Sequence, residues 1–198
     1  MRRTALLLAG FALIGAGLIT VTVFYTKDII ADNERIAFLA HLSALVPEDR
    51  YDNQLTEDCI EVRAPAYFGT ADPVLIYRAY RRGEPVALFA TIVAPDGYSG
   101  TIKLLIGVYA DGVVAGVRVL AHRETPGLGD AIDSTRSDWI LGFNNTSLAQ
   151  VGLNNWRVKK DGGYFDQLTG ATITARAVVR AIGKFLEYFD LHREQLFR

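Results

Sequence analysis

Cysteine is nearly absent from the chain: of 198 residues only Cys59 carries a thiol. One thiol excludes an intramolecular disulfide, so packing and hydrogen bonds must hold the fold. No motif surrounds Cys59, which is expected to serve as a small buried hydrophobe. Histidine is scarce as well, with His41, His122 and His192 far apart. A histidine-built metal centre finds too few ligands, and His122 with Glu124 gives only two candidate donors in one loop. Surplus charge is missing too, since 21 basic side chains face 22 acidic ones for a net of −1. That balance excludes the basic footprint by which proteins hold nucleic acid.

Nucleotide and hydrolase signatures are lacking. Neither "GYSGTIK" nor "GGYFDQLTG" forms a P-loop, "GLGDAI" lacks the third glycine of a dinucleotide fingerprint, and no serine sits in a G-x-S-x-G elbow. Internal repeats, low-complexity tracts and Pro/Ser-rich linkers are absent.

What is present begins with a long apolar run. No charge interrupts Thr4 to Thr26. As a helix rising about 1.5 Å per residue it spans roughly 35 Å, enough to cross a hydrocarbon core of about 30 Å. A cleaved secretory signal shares the basic start, but its apolar run is typically about 7–15 residues and ends in a small-x-small site. "VTVFYTKD" offers no such site. Arg2 and Arg3 precede the run, while Lys27 and Asp28 cancel after it. The positive-inside rule then predicts a cytoplasmic N-terminus and a single-pass anchor over residues 1–26, with residues 27–198 on the outer side of the membrane, the periplasmic side if that membrane is a bacterial inner membrane.

The exterior chain starts with "KDIIADNERIAFLAHLSALVP", a predicted helix with Ile36, Leu39, Ala40 and Ser43 on one face, stopped by Pro47 and able to continue the membrane span. "VLIYRAY", "VALFATIVA", "IKLLIGVYA" and "VVAGVRVLA" then read as four strands. Asp111-Gly112 is a two-residue turn signal, so Ile102 to Ala121 should form one antiparallel hairpin. The Gly-rich loop "HRETPGLGD" follows, then a short helical or irregular region through "DSTRSDWILGF", and "NNWRVKK" with the turn "DGG" reads as a further short strand. Strands first and helix last predict an α+β domain with a mainly antiparallel sheet and packed helices.

The densest hydroxyl cluster is "DQLTGATITARAVV", from Asp166 to Val179. It leads into Val178, Ile182, Phe185, Leu186 and Phe189 at helical spacing, which places Thr169, Thr172 and Thr174 at a helix N-terminus. Such an end offers unpaired amides and partial positive charge to a phosphate. Helix capping is the simpler use for these hydroxyls. One cap leaves three hydroxyls in so short a stretch unexplained.

"DQLTGATIT" resembles the D-x-x-[ST]-G-A-T-x-T motif of the FMN-binding domain family, with threonine where serine is commoner at Thr169. Members of that family include subunits of Rnf-type electron-transport complexes and of the sodium-translocating NADH:quinone reductase. The N-terminal span, "GYSG" from Gly97 to Gly100 and "HRETPGLGD" from His122 to Asp130 agree with it, so the similarity covers essentially the whole chain.

The resemblance implies a covalent FMN, joined through its phosphate to Thr174 by a separate flavin transferase that reads Asp166, Gly170, Ala171 and Thr174. Thr169, Gly170, Ala171 and Thr172 would shape the loop and meet the phosphate. Glu124, Thr125 and Leu128 would contact the ring or ribityl chain, with Gly127 and Gly129 allowing close backbone approach. The implied role is an electron relay between other membrane subunits of an Rnf-type complex, ferredoxin:NAD oxidoreductase in type and coupled to ion translocation, rather than catalysis by the chain alone. Two alternatives stay open at this level: a non-redox anchored assembly module, and a free-standing membrane flavoprotein reductase.

Overall fold

The computed structural model describes residues 2–198; Met1, the first residue of the expected anchor, lies outside the described residues. Helix α1 spans Arg2–Leu45. Its stretch Arg2–Lys27 is long and apolar enough to cross a membrane. Leu6, Phe11, Ile14 and Leu18 stand exposed on it. The hydroxyls of Thr20, Thr22 and Thr26 donate to carbonyls four residues back, at 2.8–2.9 Å. These three hydroxyls, which would otherwise cost energy in hydrocarbon, are thereby satisfied within the helix. Pro47, two residues past the helix end, cannot continue it.

The chain divides into two compact units at Ala40/His41. In the second unit, β1 (Cys59–Val62), β2 (Val74–Arg81), β3 (Glu84–Ala94), β4 (Ile102–Tyr109) and β5 (Val114–Ala121) form one sheet in the order β1-β2-β3-β4-β5. Every pairing is antiparallel. The class is α+β, as expected, and β2 to β5 coincide with the four β-rich runs. At the Asp111-Gly112 turn, Gly112 takes a φ of 91°, and its N–H donates to the Tyr109 carbonyl at 2.8 Å. Short helices α2 (Pro65–Phe68) and α3 (Leu148–Val151) precede the long α4 (Thr172–Leu196).

One sheet face is covered by α4. Val178, Ile182, Phe185, Leu186 and Phe189 are all buried, in one cluster with Leu88, Ile92, Leu104 and Ile106. Full burial of each such side chain stabilises by about 1.5–3 kcal/mol, so this face dominates the domain's stability. On the opposite face Phe89 pairs with Gly107, and Gly107 with Gly116. A Cβ at Gly116 would come 2.7 Å from Leu45 Cδ2, and one at Gly107 3.3 Å from Leu45 Cβ. The two glycines therefore make the seat for Leu45 at the end of α1.

The helix expected up to Pro47 is present and continues the apolar span to Leu45, with Leu42, Leu45 and Val46 buried near its end. Two details differ from expectation. Strand β1 was not legible, being four residues that pair only along β2; its Cys59 is half-buried rather than fully enclosed. "NNWRVKK" forms no strand but two 3-10 turns, Leu153–Asn155 and Lys159–Asp161, with a lone bridge between Val158 and Phe165. Trp156 explains the coiling, since it turns inward beneath α4 and donates its Nε1–H to the Val179 carbonyl at 3.0 Å.

Trp156 can lie there because α4 carries glycine at 183, where a Cβ would come 2.6 Å from Trp156 Cδ1. Gly183→Val should overpack this contact and cost about 1–3 kcal/mol. Thermal unfolding of the detergent-solubilised protein should show a midpoint lower by roughly 2–4 °C per kcal/mol; an unchanged midpoint would mean that Trp156 moves freely.

Candidate functional site

Glu124 lies on the loop that leaves β5, yet it is only 4% exposed. A buried carboxylate must find donors or cost several kcal/mol, roughly, so its surroundings are informative. Its Oε1 accepts the Ser99 N–H at 3.0 Å, and its Oε2 accepts the Thr174 hydroxyl at 2.5 Å. Its own N–H donates to His122 Nδ1 at 3.1 Å, which fixes the start of the loop. Thr174 is fully buried.

Space for this carboxylate is cleared by glycines. A Cβ at Gly129 would come 2.8 Å from Glu124 Cβ, 3.0 Å from Glu124 Oε2 and 3.2 Å from Thr174 Oγ1. A Cβ at Gly97 would collide with the Gly100 carbonyl and come 2.9 Å from Glu124 Oε1. The "GYSG" turn and the "PGLG" turn thus close around one side chain. Gly127 differs from Gly129: its φ is 78° with open space around it, so conformation rather than crowding calls for glycine there. The Thr125 carbonyl collects the N–H groups of Leu128, Gly129 and Asp130 at 3.0–3.3 Å, which tightens the loop.

The threonines do not act as helix caps. The N-cap of α4 is Ala171, and no side chain caps it. The Ala175 N–H donates to the Ala171 carbonyl at 3.1 Å, leaving the amides of Thr172, Ile173 and Thr174 without a partner inside the helix. Gly170 makes the entry turn with a φ of 80°, and a Cβ on it would come 2.9 Å from Leu128 Cδ2.

Between this helix end and the Gly-rich loop lies a cavity of about 510 Å³, lined among others by Glu124, Thr125, Leu128, Thr172 and Thr174. Its size is within the range of small-molecule sites, roughly 300–1,000 Å³. Gly129, Gly170 and Ala171 line it as well. Tyr98, Leu128 and Ile173 stand at its edge and are 67%, 46% and 50% exposed. Hydroxyl, carboxylate and free amides below, with apolar and aromatic surface above, suit a ligand having a phosphate at one end and a flat ring system at the other.

Lys160 also lines the cavity, and sequence reasoning missed it. Its turn is pinned to α4 by Asp161, whose carboxylate takes the Arg176 guanidinium at 2.5 and 2.6 Å. The Arg176 hydrogen bond holds the Asp161 carboxyl below its usual range. Tyr98 is the aromatic of "GYSG", between Gly97 and Gly100, and that placement was the one signal for it in the sequence.

Asp166 and Thr169 stand outside the cavity. Both are exposed, Asp166 pairs with Lys159 Nζ at 2.6 Å, and its carbonyl accepts the Trp139 Nε1–H at 2.7 Å. The structure therefore brings Glu124, Thr125, Leu128, Gly170, Ala171, Thr172 and Thr174 together, and leaves Asp166 and Thr169 on the surface beside them.

Comparison with known proteins agrees with this geometry. A family model described as "FMN-binding domain" matches residues 97–187, and one described as "RnfG N-terminal region" matches residues 1–45. The G subunit of the ion-translocating oxidoreductase complex of Pseudoalteromonas atlantica is 50% identical over 195 residues, covering 98% of this chain and 91% of the relative. The corresponding proteins of Vibrio cholerae and Pseudomonas aeruginosa, which carry the same name, are 46% and 47% identical, each covering 99% of the chain and 93% and 92% of the relative.

Gly129→Ala tests the crowding at the site, because the added methyl must displace Glu124 or Thr174. It should lower stability by about 1–3 kcal/mol, whereas Leu128→Ala beside it should stay within about 0.5 kcal/mol. Urea unfolding midpoints check the pair; equal midpoints would show that the loop relaxes without strain.

Proposed function

We propose, since the chain belongs to the family of the G subunits of ion-translocating oxidoreductase complexes and carries an FMN-binding domain, that it holds FMN as a phosphoester of Thr174 and relays electrons through it. The observation that carries this reading is the Thr174 hydroxyl at the base of the cavity, beside free helix amides and Lys160. Such a cradle fits a phosphate, and the exposed Tyr98, Leu128 and Ile173 fit the covering of a flavin ring.

Each residue then has a task. The amides of Thr172, Ile173 and Thr174 orient the phosphate at the positive end of α4. Lys160 offsets its charge. Thr125 and Leu128 meet the ribityl chain or ring, and Glu124 stands at the phosphate end, against Thr174. Gly170 and Ala171 let the cofactor approach the backbone. The bound flavin supplies electron transfer, while the protein supplies orientation and local electrostatics.

Asp166 and Thr169 support a second part of the proposal. Both motif residues are exposed, where a separate flavin transferase could read them together with Gly170. Threonine is a weak nucleophile unaided, so an external enzyme must supply the activated flavin. Other membrane subunits of an Rnf-type complex would donate and accept the electrons, with ion translocation coupled to that flow. Retention by a bond also keeps the cofactor in a periplasmic domain, where Arg2 and Arg3 before the span argue that it lies.

Thr174→Val keeps the shape and removes the hydroxyl, so it should carry no covalent flavin, while Thr174→Ser should still be modified. The serine variant keeps the donor to Glu124, whereas the valine variant should lose about 1–3 kcal/mol through the orphaned carboxylate. Flavin fluorescence of the denatured protein band is the measurement, and a fluorescent Thr174→Val band would refute the linkage. For the orientation, alkaline phosphatase fused after Arg198 should be active in cells; activity of a cytoplasmic reporter at that point instead would reverse the assignment.

A further inference from the structure

We propose that Glu124 is the general base that takes the Thr174 hydroxyl proton when the flavin phosphate is attached. The proposal rests on the Thr174 linkage and adds to it the residue that activates the nucleophile. Threonine needs such help, because its hydroxyl is a poor nucleophile while it keeps its proton. In the structure that proton already points at a carboxylate: Thr174 Oγ1 donates to Glu124 Oε2 at 2.5 Å, within the reach required of a base.

The carboxylate is held for the task. Oε1 is fixed by the Ser99 N–H, and the space around Oε1 and Oε2 is defined by the missing side chains of Gly97 and Gly129. Burial removes water that would otherwise compete for the Thr174 proton. Few buried polar side chains occur among the described residues, and two of the four are these partners. Packing alone does not require them. An apolar pair would fill the same volume without the desolvation cost.

The step balances without an oxidant or reductant. The donor is a flavin nucleotide activated as a pyrophosphate, because joining an alcohol to a free phosphate monoester is a dehydration that water opposes. Thr174 Oγ1 forms a bond to the flavin-bearing phosphorus, and the phosphorus–oxygen bond to the second phosphate breaks. A nucleoside monophosphate leaves, and the hydroxyl proton passes to Glu124. That proton then lies between the carboxyl group and the new phosphodiester, so two anions do not face one another. Lys160 lines the same cavity and offsets charge on the transferring group.

The test is attachment in vitro: the full-length apo chain in detergent, a flavin transferase, magnesium and flavin adenine dinucleotide, with covalent FMN followed by intact mass. Glu124→Gln keeps the shape and cannot accept the proton. Its kcat for attachment should fall by about 100-fold or more, with the KM for the apo chain unchanged. Glu124→Asp, which keeps a carboxylate, should be modified at least about 10-fold faster than the glutamine variant. If melting shows that Glu124→Gln fails to fold, Glu124→Ala replaces it as the variant without a carboxylate and the same comparison with Glu124→Asp is made against it. Attachment to Glu124→Gln at the wild-type rate, a loss confined to KM, or an aspartate variant as slow as glutamine would overturn the role. A wild-type chain that takes no flavin fails earlier, overturning the Thr174 linkage and this role with it.

Discussion

The hydrogen bond between Glu124 and Thr174 joins residues 50 apart in sequence and decides how the rest of the site is arranged. Enclosing a carboxylate is costly, and the fold meets that cost with two donors and two glycines. The "GYSG" turn, the Gly-rich loop and the N-terminus of α4 have no sequence relation to one another. They converge because each contributes one side of the same small enclosure. The cavity is what remains between the loop and the helix once that contact is made.

Rigid elements hold this arrangement. The loop leaves the end of β5, next to β4, and α4 is fixed to the sheet by five buried apolar side chains of its inner face. Nothing in the site depends on a disulfide. The Lys160 turn is less firmly placed, since its anchor, the Asp161–Arg176 pair, is largely at the surface. An exposed pair contributes little, so the turn rests mainly on its own backbone hydrogen bonds, among them the Lys159 N–H to the Phe165 carbonyl and the Asp161 N–H to the Val158 carbonyl.

The sheet was legible because alternating β-branched runs and the Asp111-Gly112 turn are local signals. Helix α4 was legible from its apolar spacing. The threonine motif marked Thr174, although the simplest local inference, that threonines cap the helix, does not hold, since Ala171 occupies the cap without a side-chain bond. What sequence could not give was convergence. Nothing local reveals that Gly97 and Gly129 clear space for the same carboxylate, that Lys160 reaches the cavity, or that Glu124 meets the threonine. "NNWRVKK" misled for a related reason: its β-like pattern yields to the burial of Trp156, which only the position of α4 makes possible.

The tether proposed for Thr174 would leave the flavin ring unmodified and make retention independent of affinity, which would suit a carrier that must release electrons but never its cofactor. The central claim is the identity of the modified residue. Tryptic cleavage after Lys160 and Arg176 isolates the peptide "DGGYFDQLTGATITAR", which contains Thr169, Thr172 and Thr174 together. Fragment-ion mass spectrometry of that peptide from membrane-derived protein should show one FMN, less one water, on Thr174. An unmodified peptide, or flavin on Thr169 or Thr172, would contradict the account.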